Sequence, residues 1–503
     1  MRSLLLLFTL AILVSCQNNK VDVIIRGATV YDGSGAAPVV TDVAIAGDTI
    51  AMIGDLKGVS ATVSYDAQGL ILAPGFIDTH SHHDRGLNKN REALAVVSQG
   101  VTTIVVGQDG GSHTPLKEYF QLLTDSPAAV NVASYSGHNT LRDIVMKNDF
   151  RRKADKEEID SMLLLMKADM DAGAFGLSTG LEYDPGIYSA EEEVLTLSKA
   201  LPAYGGRYIS HLRSEDRYFW QALNEIINIG KETGVPVQIS HFKLAMTSLW
   251  GKADSTLALL DAARANGIDI TADIYPYTYW SSTIRVLFPS RNFKDLKEAE
   301  MILKEITTPE GIIFSNYDPN PEYNGKSLME VSKELKLSPA QALIELIERL
   351  DECDAKGEEC GGSIVATSMN EKDVTKLMQW PYTNICSDGS SSGRHPRGYG
   401  AFTKVLKQYV REEKALTMEQ AIYKMTGLAA GNTGIQRRGM IKEGYYADLV
   451  LFDPQTVGDE STIQDPQRIS AGIDHVWVNG TEVFAQGATK GVYPGRVIRR
   501  GNN

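Results

Sequence analysis

The sequence predicts an α/β fold in which a TIM-like (β/α)8 barrel carries a small β-sandwich domain built from both chain ends. One observation is that apolar, strand-like runs alternate with helical stretches between residues 73 and 433. Another is that β-rich runs separated by Gly and Asp turns occupy residues 21–72 and return at residues 434–498. The eight barrel runs are GFIDTH, TTIVVGQ, VNVASYSG, AFGLSTGLEY, GRYISHLR, VPVQISHFK, DITADIYPY and NICSDGSS.

The connection after the seventh predicted strand is unusually long for a barrel of this kind. Residues 288–339 contain their own helical signals, in LKEAEMILKEI and LMEVSKEL. Structureless loops of this length are uncommon in compact domains. We therefore expect an insertion or a lid in this range.

The first fifteen residues are predicted to be a signal peptide. Arg2 precedes an apolar run from Leu4 to Val14, which is too short to span a bilayer. The following LVSC sequence resembles the lipobox of bacterial lipoproteins, and this resemblance implies cleavage before Cys16, lipidation of Cys16 and a tether over residues 16–20. Because no Asp follows Cys16, sorting patterns imply a bacterial outer-membrane location facing the periplasm. An ordinary secretory signal with a coincidental cysteine is the alternative.

Charge and cysteine usage narrow the range of partners. The formal net charge is -13, and no cluster of five or more Lys and Arg residues occurs, so nucleic acid and anionic lipid surfaces are poor partner candidates. A membrane would be contacted only through the lipid anchor, and the oligomeric state stays open. Cys353 and Cys360 flank a polar loop and can form a small disulfide in an oxidising compartment. Cys386 is expected to be an unpaired, buried residue.

Histidines and one aspartate stand where the predicted barrel strands end. His80 and His82 close the first strand, and their i, i+2 spacing places both imidazoles on one face. His211, His241 and Asp388 close strands five, six and eight. A lone histidine is more often structural than a ligand, but the joint placement at the C-terminal strand ends predicts a metal centre. Nitrogen and carboxylate ligands suit one or two Zn²⁺ ions, and other divalent transition metals are possible.

These residues resemble those of the amidohydrolase superfamily, and further motifs are similar to the D-aminoacylase (N-acyl-D-amino-acid deacylase) family. The resemblance covers nearly the whole chain after the signal peptide and extends to KMTGLAA, GYYADLVLFDP and PGRVIR near the C-terminus. The other shared motifs are APGFIDTHSH at 73–82, QGVTT at 99–103, GLSTGLEY at 176–183, SHLRSE at 210–215, SHFK at 240–243, SDG at 387–389 and HPRGYGAF at 395–402.

The sequence departs from that family at one metal ligand. Characterised D-aminoacylases place a metal-binding cysteine after the second strand, whereas this chain has GQDG at residues 107–110. The resemblance implies a carboxylate in its place, and we favour Glu182 at the end of strand four, where other amidohydrolases use a carboxylated Lys or a Glu. Asp109 is the alternative bridging ligand, and it can equally be a turn residue between two glycines.

The resemblance implies metal-dependent hydrolysis of the amide bond of N-acyl-D-amino acids, which releases a carboxylate and a free D-amino acid. Asp388 would carry the proton from the attacking water to the leaving amine. Since such a substrate carries its own carboxylate, a cation must meet it in the pocket. Lys243 resembles the family's carboxylate contact. The other candidate contacts are Arg397, Tyr183 and Tyr275, and then Arg213 and Tyr277.

Other functions remain open from the sequence alone. A dipeptidase that releases a C-terminal D-amino acid would need the same metal chemistry, because an acyl and an aminoacyl group differ only distally. A cyclic-amide hydrolase is a further possibility. A noncatalytic peptide-binding lipoprotein is the alternative from another class, although all five strand-end ligand candidates are present.

Overall fold

The computed structural model describes residues 20–357 and 360–501. The strands are β1 (Lys20–Val30), β2 (Val39–Ala46), β3 (Thr49–Gly54), β4 (Ser60–Asp66), β5 (Ile71–Pro74), β6 (Phe76–Asp78), β7 (Val101–Val106), β8 (Asn131–Ser134), β9 (Ser136–Gly137), β10 (Gly176–Gly180), β11 (Arg207–His211), β12 (Val237–Ile239), β13 (Ile270–Ile274), β14 (Tyr279–Thr283), β15 (Ile312–Tyr317), β16 (Gly362–Thr367), β17 (Thr383–Ile385), β18 (Leu449–Phe452), β19 (Ile473–Val478), β20 (Thr481–Ala485) and β21 (Ala488–Thr489).

The helices alternate with the central strands. They are α1 (Leu94–Val97), α2 (Leu116–Asp125), α3 (His138–Met146), α4 (Lys156–Ala172), α5 (Glu191–Ser198), α6 (Phe219–Thr233), α7 (Ala253–Ala265), α8 (Leu296–Met301), α9 (Leu328–Leu335), α10 (Pro339–Asp354), α11 (Glu371–Gln379), α12 (Arg397–Lys404), α13 (Met418–Met425) and α14 (Gly427–Thr433).

The predicted barrel is confirmed, and its strands follow one another around it in chain order. Strands β6, β7 and β8 are parallel neighbours, and β9 directly continues β8. From β9 the parallel pairing runs through β10, β11, β12 and β13 to β17. A parallel bridge between Ser81 and Gly389 then joins the last strand to the first. Closure brings the residues that follow all eight strand positions to one end of the barrel.

Both chain ends contribute to the second domain, as predicted. Hydrogen bonds join nine strands into one continuous sheet, with order β21-β20-β19-β18-β5-β1-β2-β3 and β4 beside β1. The sheet is continuous because β1 pairs with β2 on one side and with β4 and then β5 on the other. The sheet therefore folds around its own apolar core, in which Trp477 is fully buried.

The long connection that follows β13 contains a sheet of its own. Antiparallel strands β14, β15 and β16 form a separate three-stranded sheet, so the inserted unit extends from Tyr279 to Thr367. Helices α8, α9 and α10 pack with this sheet around an apolar cluster of their own. The sequence analysis missed β14 because this strand is partly exposed and carries Ser and Thr, so it lacks the apolar pattern of a buried strand.

The cysteines are arranged as the sequence suggested. Cys353, near the end of α10, forms a disulfide with Cys360. Cys386 is free and buried. Among the helices of the described residues, none combines the length and the apolar character needed to cross a membrane. The predicted signal peptide, Cys16 and the residues of the tether before Lys20 lie outside the described residues.

Candidate metal centre and active site

His80 and His82 are held at the barrel mouth by the strand-closing bridge. The backbone N–H of Asp388 donates to the carbonyl oxygen of His80 over 2.8 Å, and that of His82 donates to Gly389 over 2.9 Å. Strand alternation directs the side chains on either side of Ser81 to the same face. His80 is fully buried, whereas 15% of the His82 side chain is exposed. The two rings therefore line the inner wall, with His82 nearer to solvent.

Asp109 follows β7 and reaches histidines on two sides of the barrel. Its Oδ1 lies 3.3 Å from Nε2 of His80 and 3.2 Å from Nε2 of His241. Its Oδ2 lies 3.2 Å from Nε2 of His82. One carboxylate thus contacts three imidazoles through both of its oxygens.

The turn around Asp109 is built to allow this position. Asp109 has φ +53°, in the left-handed region that Asp tolerates better than most residues. Gly107 has φ +74°, and a Cβ there would lie 2.4 Å from the carbonyl oxygen of Tyr135. The glycine therefore lets the turn pack against the neighbouring strand connection, which directs Asp109 inward.

His211 and His241 form the opposite wall. His211 ends β11, and its Nδ1 lies 2.8 Å from Nε2 of His241. The other ring nitrogen of His211 lies 2.9 Å from Oε2 of Glu182. Glu182 therefore contacts His211 on the side away from Asp109. Among the described residues, His211 is the only candidate metal-binding histidine within 4.0 Å of the Glu182 carboxylate.

Asp388 follows β17 and completes the cluster. Its Oδ1 lies 3.3 Å from Nε2 of His82 and 3.7 Å from that of His80. Asp388 has φ +49° and His241 has φ +33°, so they share with Asp109 a backbone region that non-glycine residues seldom adopt. Such strain is tolerated where surrounding structure holds it, and it is concentrated at functional sites.

These residues form two sets that could each hold a metal ion, and a third set lies beside them. Asp109 belongs to the first two. The sets are His80, His82, Asp109 and Asp388; Asp109, His211 and His241; and Glu182, His211 and Glu215. Both ring nitrogens of His80 are buried, and within the described residues neither makes a hydrogen bond, although the carboxylates of Asp109 and Asp273 lie 3.3 and 3.8 Å away. Buried polar atoms are rarely left unsatisfied, so a bound cation fits this donor set.

The pKa values of the histidines at the centre differ. Burial lowers the pKa of His211 to about 3, which keeps its imidazole neutral. At His82 and His241 the nearby carboxylates outweigh burial and raise the pKa to about 9 and about 10, so metal binding there would displace protons. Burial acts to raise the pKa of Asp109, but the charges of His80 and His241 hold it well below its usual range. Burial likewise opposes ionisation of Asp388, and the neighbouring Arg397 contributes most to lowering its pKa. Neutral imidazoles and ionised carboxylates are the forms that ligate metal.

Cationic and aromatic side chains lie next to the cluster. Nη1 of Arg397 donates to Oδ2 of Asp388 over 2.6 Å. Nζ of Lys243 donates to both oxygens of Glu215, at 2.6 and 2.8 Å. The ring of Tyr275 lies 4.8 Å from the guanidinium carbon of Arg397 and 5.9 Å from Nζ of Lys243. These groups can receive an anionic part of a small molecule.

The remaining candidates divide between the pocket and the fold. The ring of Tyr183 lies 4.4 Å from that of His211 and lines the pocket. Arg213 instead forms an ion pair with Glu225 at 2.8 Å, and Tyr277 packs its ring 5.2 Å from that of His395. The other histidines have local partners: His83 with Gly398, His113 with Asp84, His138 with Glu193 and His475 with Glu482.

Sequence reasoning missed two carboxylates that hold the histidines. Glu215 lies 3.1 Å from Nδ1 of His241, and the final position of the SHLRSE motif was its signal. Asp273 accepts the backbone N–H of His241 over 2.5 Å and lies 3.8 Å from Nδ1 of His80. An acidic residue within the apolar strand β13 was the signal for Asp273.

Comparison with known proteins gives consistent results over most of the chain. The model of the amidohydrolase family matches residues 64–305 and 383–484. The chain is 37% identical to D-aminoacylase of Alcaligenes xylosoxydans xylosoxydans, over 95% of this chain and 98% of that relative.

Two solved structures are similar to the whole described fold. The N-acyl-D-glutamate deacylase of Bordetella bronchiseptica, complexed with zinc and a phosphonate inhibitor, is 33% identical, with TM-score 0.86 and coverage of 95% of this chain and 100% of that one. A D-aminoacylase with a binuclear metal centre is 36% identical, with TM-score 0.84 and the same coverage.

Proposed function

Because this chain belongs to the amidohydrolase family, in the group that contains D-aminoacylase, we propose that it hydrolyses the amide bond of N-acyl-D-amino acids in a metal-dependent reaction. The products are a carboxylate and a free D-amino acid. The observation that carries this proposal is that four histidines and two aspartates converge from separate strand ends. Within each candidate metal-binding group, the ligand atoms lie within 4.8 Å of one another. The likeness to deacylases of D-amino acids over nearly the whole chain supports the substrate class.

The proposed cofactor is Zn²⁺, as one or two ions. His80, His82 and Asp388 form one ligand set, and His211 and His241 form the other. The position of Asp109 between the two sets supports it as the bridging ligand, in place of the Glu182 favoured from sequence. Glu182 lies behind His211, where a carboxylate orients an imidazole and raises its basicity.

A zinc ion held there would lower the pKa of water to about 7 and polarise an amide carbonyl. Asp388 takes the proton of the attacking water and delivers it to the leaving amine nitrogen. Its Oδ2 accepts from Arg397, while Oδ1 faces the histidines, so Arg397 holds the carboxylate in place beside the metal centre. Because the pKa of Asp388 lies below its usual range, the carboxylate is ionised and ready to accept that proton.

The substrate's own carboxylate is assigned to Arg397, Lys243 and Tyr275. All three are buried, so an anion placed among them is shielded from water and its charge-assisted hydrogen bonds are strengthened. Among residues 20–357 and 360–501, the hydroxyl of Tyr275 has no hydrogen-bond partner, so it can donate to such an anion. Tyr183 packs beside His211 and limits the space around the scissile bond.

Dipeptide hydrolysis is disfavoured by the charge of the cavity on the side of His82. That cavity is lined by Gln108, Arg85 and Arg394, and its only carboxylates among the described residues are Asp109 and Asp388. Both carboxylates contact the candidate metal-binding histidines. A free α-amino group would thus meet no available acid there, whereas an uncharged acyl group needs none.

The test uses the protein from residue 17 onward, loaded with zinc, with N-acetyl-D- and N-acetyl-L-amino acids and matching dipeptides as substrates. We expect turnover of the N-acetyl-D series, a stoichiometric metal content, and loss of turnover in Asp388→Asn and His80→Asn. Asp254→Asn, a substitution at a 74% exposed side chain, is the matched control. Turnover of dipeptides alone would assign a dipeptidase, and an inactive protein without metal would assign peptide capture.

The proposed location is the bacterial outer membrane, with the enzyme facing the periplasm and anchored through a lipid on Cys16. The lipobox-like LVSC sequence supports this. In the bacterium that makes the protein, Cys16→Ser should move it from the detergent-extracted membrane fraction to the soluble fraction. Mass spectrometry of the N-terminal peptide should find Cys16 with acyl chains. Membrane association unchanged in Cys16→Ser would contradict the anchor.

A further inference from the structure

A pocket lies between the metal centre and the inserted unit, and its lining is partly apolar and partly ionisable. Val286, Leu287 and Ile306 belong to the apolar part. Asp216, Lys243 and Arg397 belong to the ionisable part. Because Lys243 and Arg397 are the proposed contacts for the α-carboxylate, this pocket lies where the side chain of the amino acid extends.

The two cations of the pocket are already neutralised by carboxylates. Lys243 lies 2.6 Å from Glu215, and Arg397 lies 2.6 Å from Asp388. Each cation can still contact an α-carboxylate, but neither brings an excess of positive charge. The pocket therefore offers no further cation for a second, side-chain carboxylate.

One carboxylate of the pocket has no such neutralisation. Within residues 20–357 and 360–501, Asp216 forms no ion pair with a Lys or Arg side chain. Oδ1 of Asp216 accepts the hydroxyl of Ser214 over 2.5 Å and the backbone N–H of Arg217 over 2.6 Å. The guanidinium of Arg217 is directed elsewhere and pairs with Glu298. Asp216 is only 6% exposed, and burial raises its pKa, so a cation beside it would favour its ionised form.

We infer that this pocket selects N-acyl-D-amino acids whose side chain is an apolar stem ending in a cation, as in D-arginine and D-lysine. The methylene groups would lie along Val286, Leu287 and Ile306, and the cation would meet Asp216. A guanidinium or ammonium group there forms a charge-assisted hydrogen bond away from bulk water. This inference rests on the proposed deacylase function and names its substrate class.

The same charges argue against acidic side chains. N-acyl-D-glutamate deacylase, one of the similar proteins, is named for a substrate with an anionic side chain. In the present pocket that anion would approach Asp216, and the cations Lys243 and Arg397 are already paired with Glu215 and Asp388. Electrostatic repulsion should therefore place D-glutamate and D-aspartate derivatives among the poorest substrates.

The test compares side chains of matched shape. N-acetyl-D-arginine and N-acetyl-D-citrulline differ in charge but hardly in size. N-acetyl-D-lysine and N-acetyl-D-norleucine form a second pair, in which norleucine has the same carbon chain and lacks the terminal ammonium group. We expect kcat/KM to be about tenfold or more higher for the cationic member of each pair, since a hydrogen bond to a charged group is worth about 1.5–3 kcal/mol. Asp216→Asn should abolish this preference, because the amide that replaces the carboxylate carries no charge.

The controls separate this inference from the function on which it rests. Asp254→Asn removes one carboxylate outside the pocket and should keep the preference intact. If no N-acetyl-D-amino acid is hydrolysed, the proposed function fails. If D-citrulline, D-norleucine or D-glutamate derivatives are hydrolysed as well as the cationic ones, or if Asp216→Asn lowers both members of a pair equally, the deacylase stands and the side-chain inference is overturned.

Discussion

The guanidinium of Arg397 lies 2.6 Å from the carboxylate of Asp388, and both side chains are more than nine-tenths buried. This ion pair joins the proposed substrate contact to the proposed proton carrier. Arg397 lowers the pKa of Asp388 and fixes one of its two oxygens, so the position of the substrate and the state of the catalytic carboxylate depend on one side chain.

Arg397→Lys should therefore impair both binding and the chemical step. Lysine keeps the charge but cannot offer two planar edges, one to Asp388 and one to the substrate. We expect kcat/KM for the preferred N-acetyl-D-amino acid to fall about 100-fold, from the loss of a desolvated charge pair. Steady-state kinetics at saturating zinc measures this. Arg213→Lys, outside the pocket, is the control, and activity of Arg397→Lys within threefold of wild type would contradict the assignment.

The two candidate bridging ligands, Asp109 and Glu182, lead to opposite predictions for the metal content of their variants. With Asp109 as the bridging ligand, Asp109→Asn should lose at least one equivalent of zinc after gel filtration, whereas Glu182→Gln should retain the wild-type stoichiometry. Asp109→Cys should also retain metal, since thiolate is a good zinc ligand. Elemental analysis by mass spectrometry gives the counts. Loss of metal from Glu182→Gln with none from Asp109→Asn would return the bridging role to Glu182.

The difference between these two carboxylates shows what the sequence could and could not predict. The eight strands were predictable because buried parallel strands read as apolar runs, and strand-end histidines then converge by topology alone. The direction of Asp109 depends on its left-handed backbone and on close packing at Gly107, neither of which a strand pattern reveals. Asp216 was missed for a similar reason, because its role depends on which cations are already paired.

A buried ion pair away from the metal centre gives a prediction for stability. Glu193 accepts from Nη1 of Arg142 at 2.6 Å and lies 2.8 Å from Nε2 of His138, and all three side chains are at most 2% exposed. Glu193→Gln would leave the Arg142 charge buried and uncompensated, so we expect a loss of about 3–5 kcal/mol in the free energy of unfolding.

Urea unfolding followed by tryptophan fluorescence measures the effect of Glu193→Gln. Glu345→Gln is the matched control, because it removes a carboxylate from the exposed pair with Arg349 and should change stability little. Equal midpoints for the two variants would show that the Glu193 cluster contributes no more than a surface pair.

The buried amine of Lys424 leads to a prediction of how the free energy of unfolding changes with pH. It lies on α13, is 4% exposed, and donates through Nζ to the carbonyl oxygens of Trp380 at 2.6 Å and Thr383 at 2.9 Å. Burial lowers its pKa to about 7, whereas an unfolded chain has a lysine pKa of about 10.4. Between these values the unfolded state binds the proton more tightly, so the contribution of Lys424 to stability rises as pH increases from 7 to about 10.

Comparison with Lys424→Met isolates this contribution, because the loss of two hydrogen bonds to carbonyl oxygens is the same at every pH. The free energy of unfolding of wild type minus that of the variant should increase across this window, by about 1.4 kcal/mol for each unit of difference in pKa, and should be constant below pH 6. Lys252→Met, at an exposed lysine, is the control for removal of one positive charge. A difference between wild type and Lys424→Met that stays flat from pH 6 to pH 10 would mean that the two carbonyl oxygens fully compensate the buried ammonium.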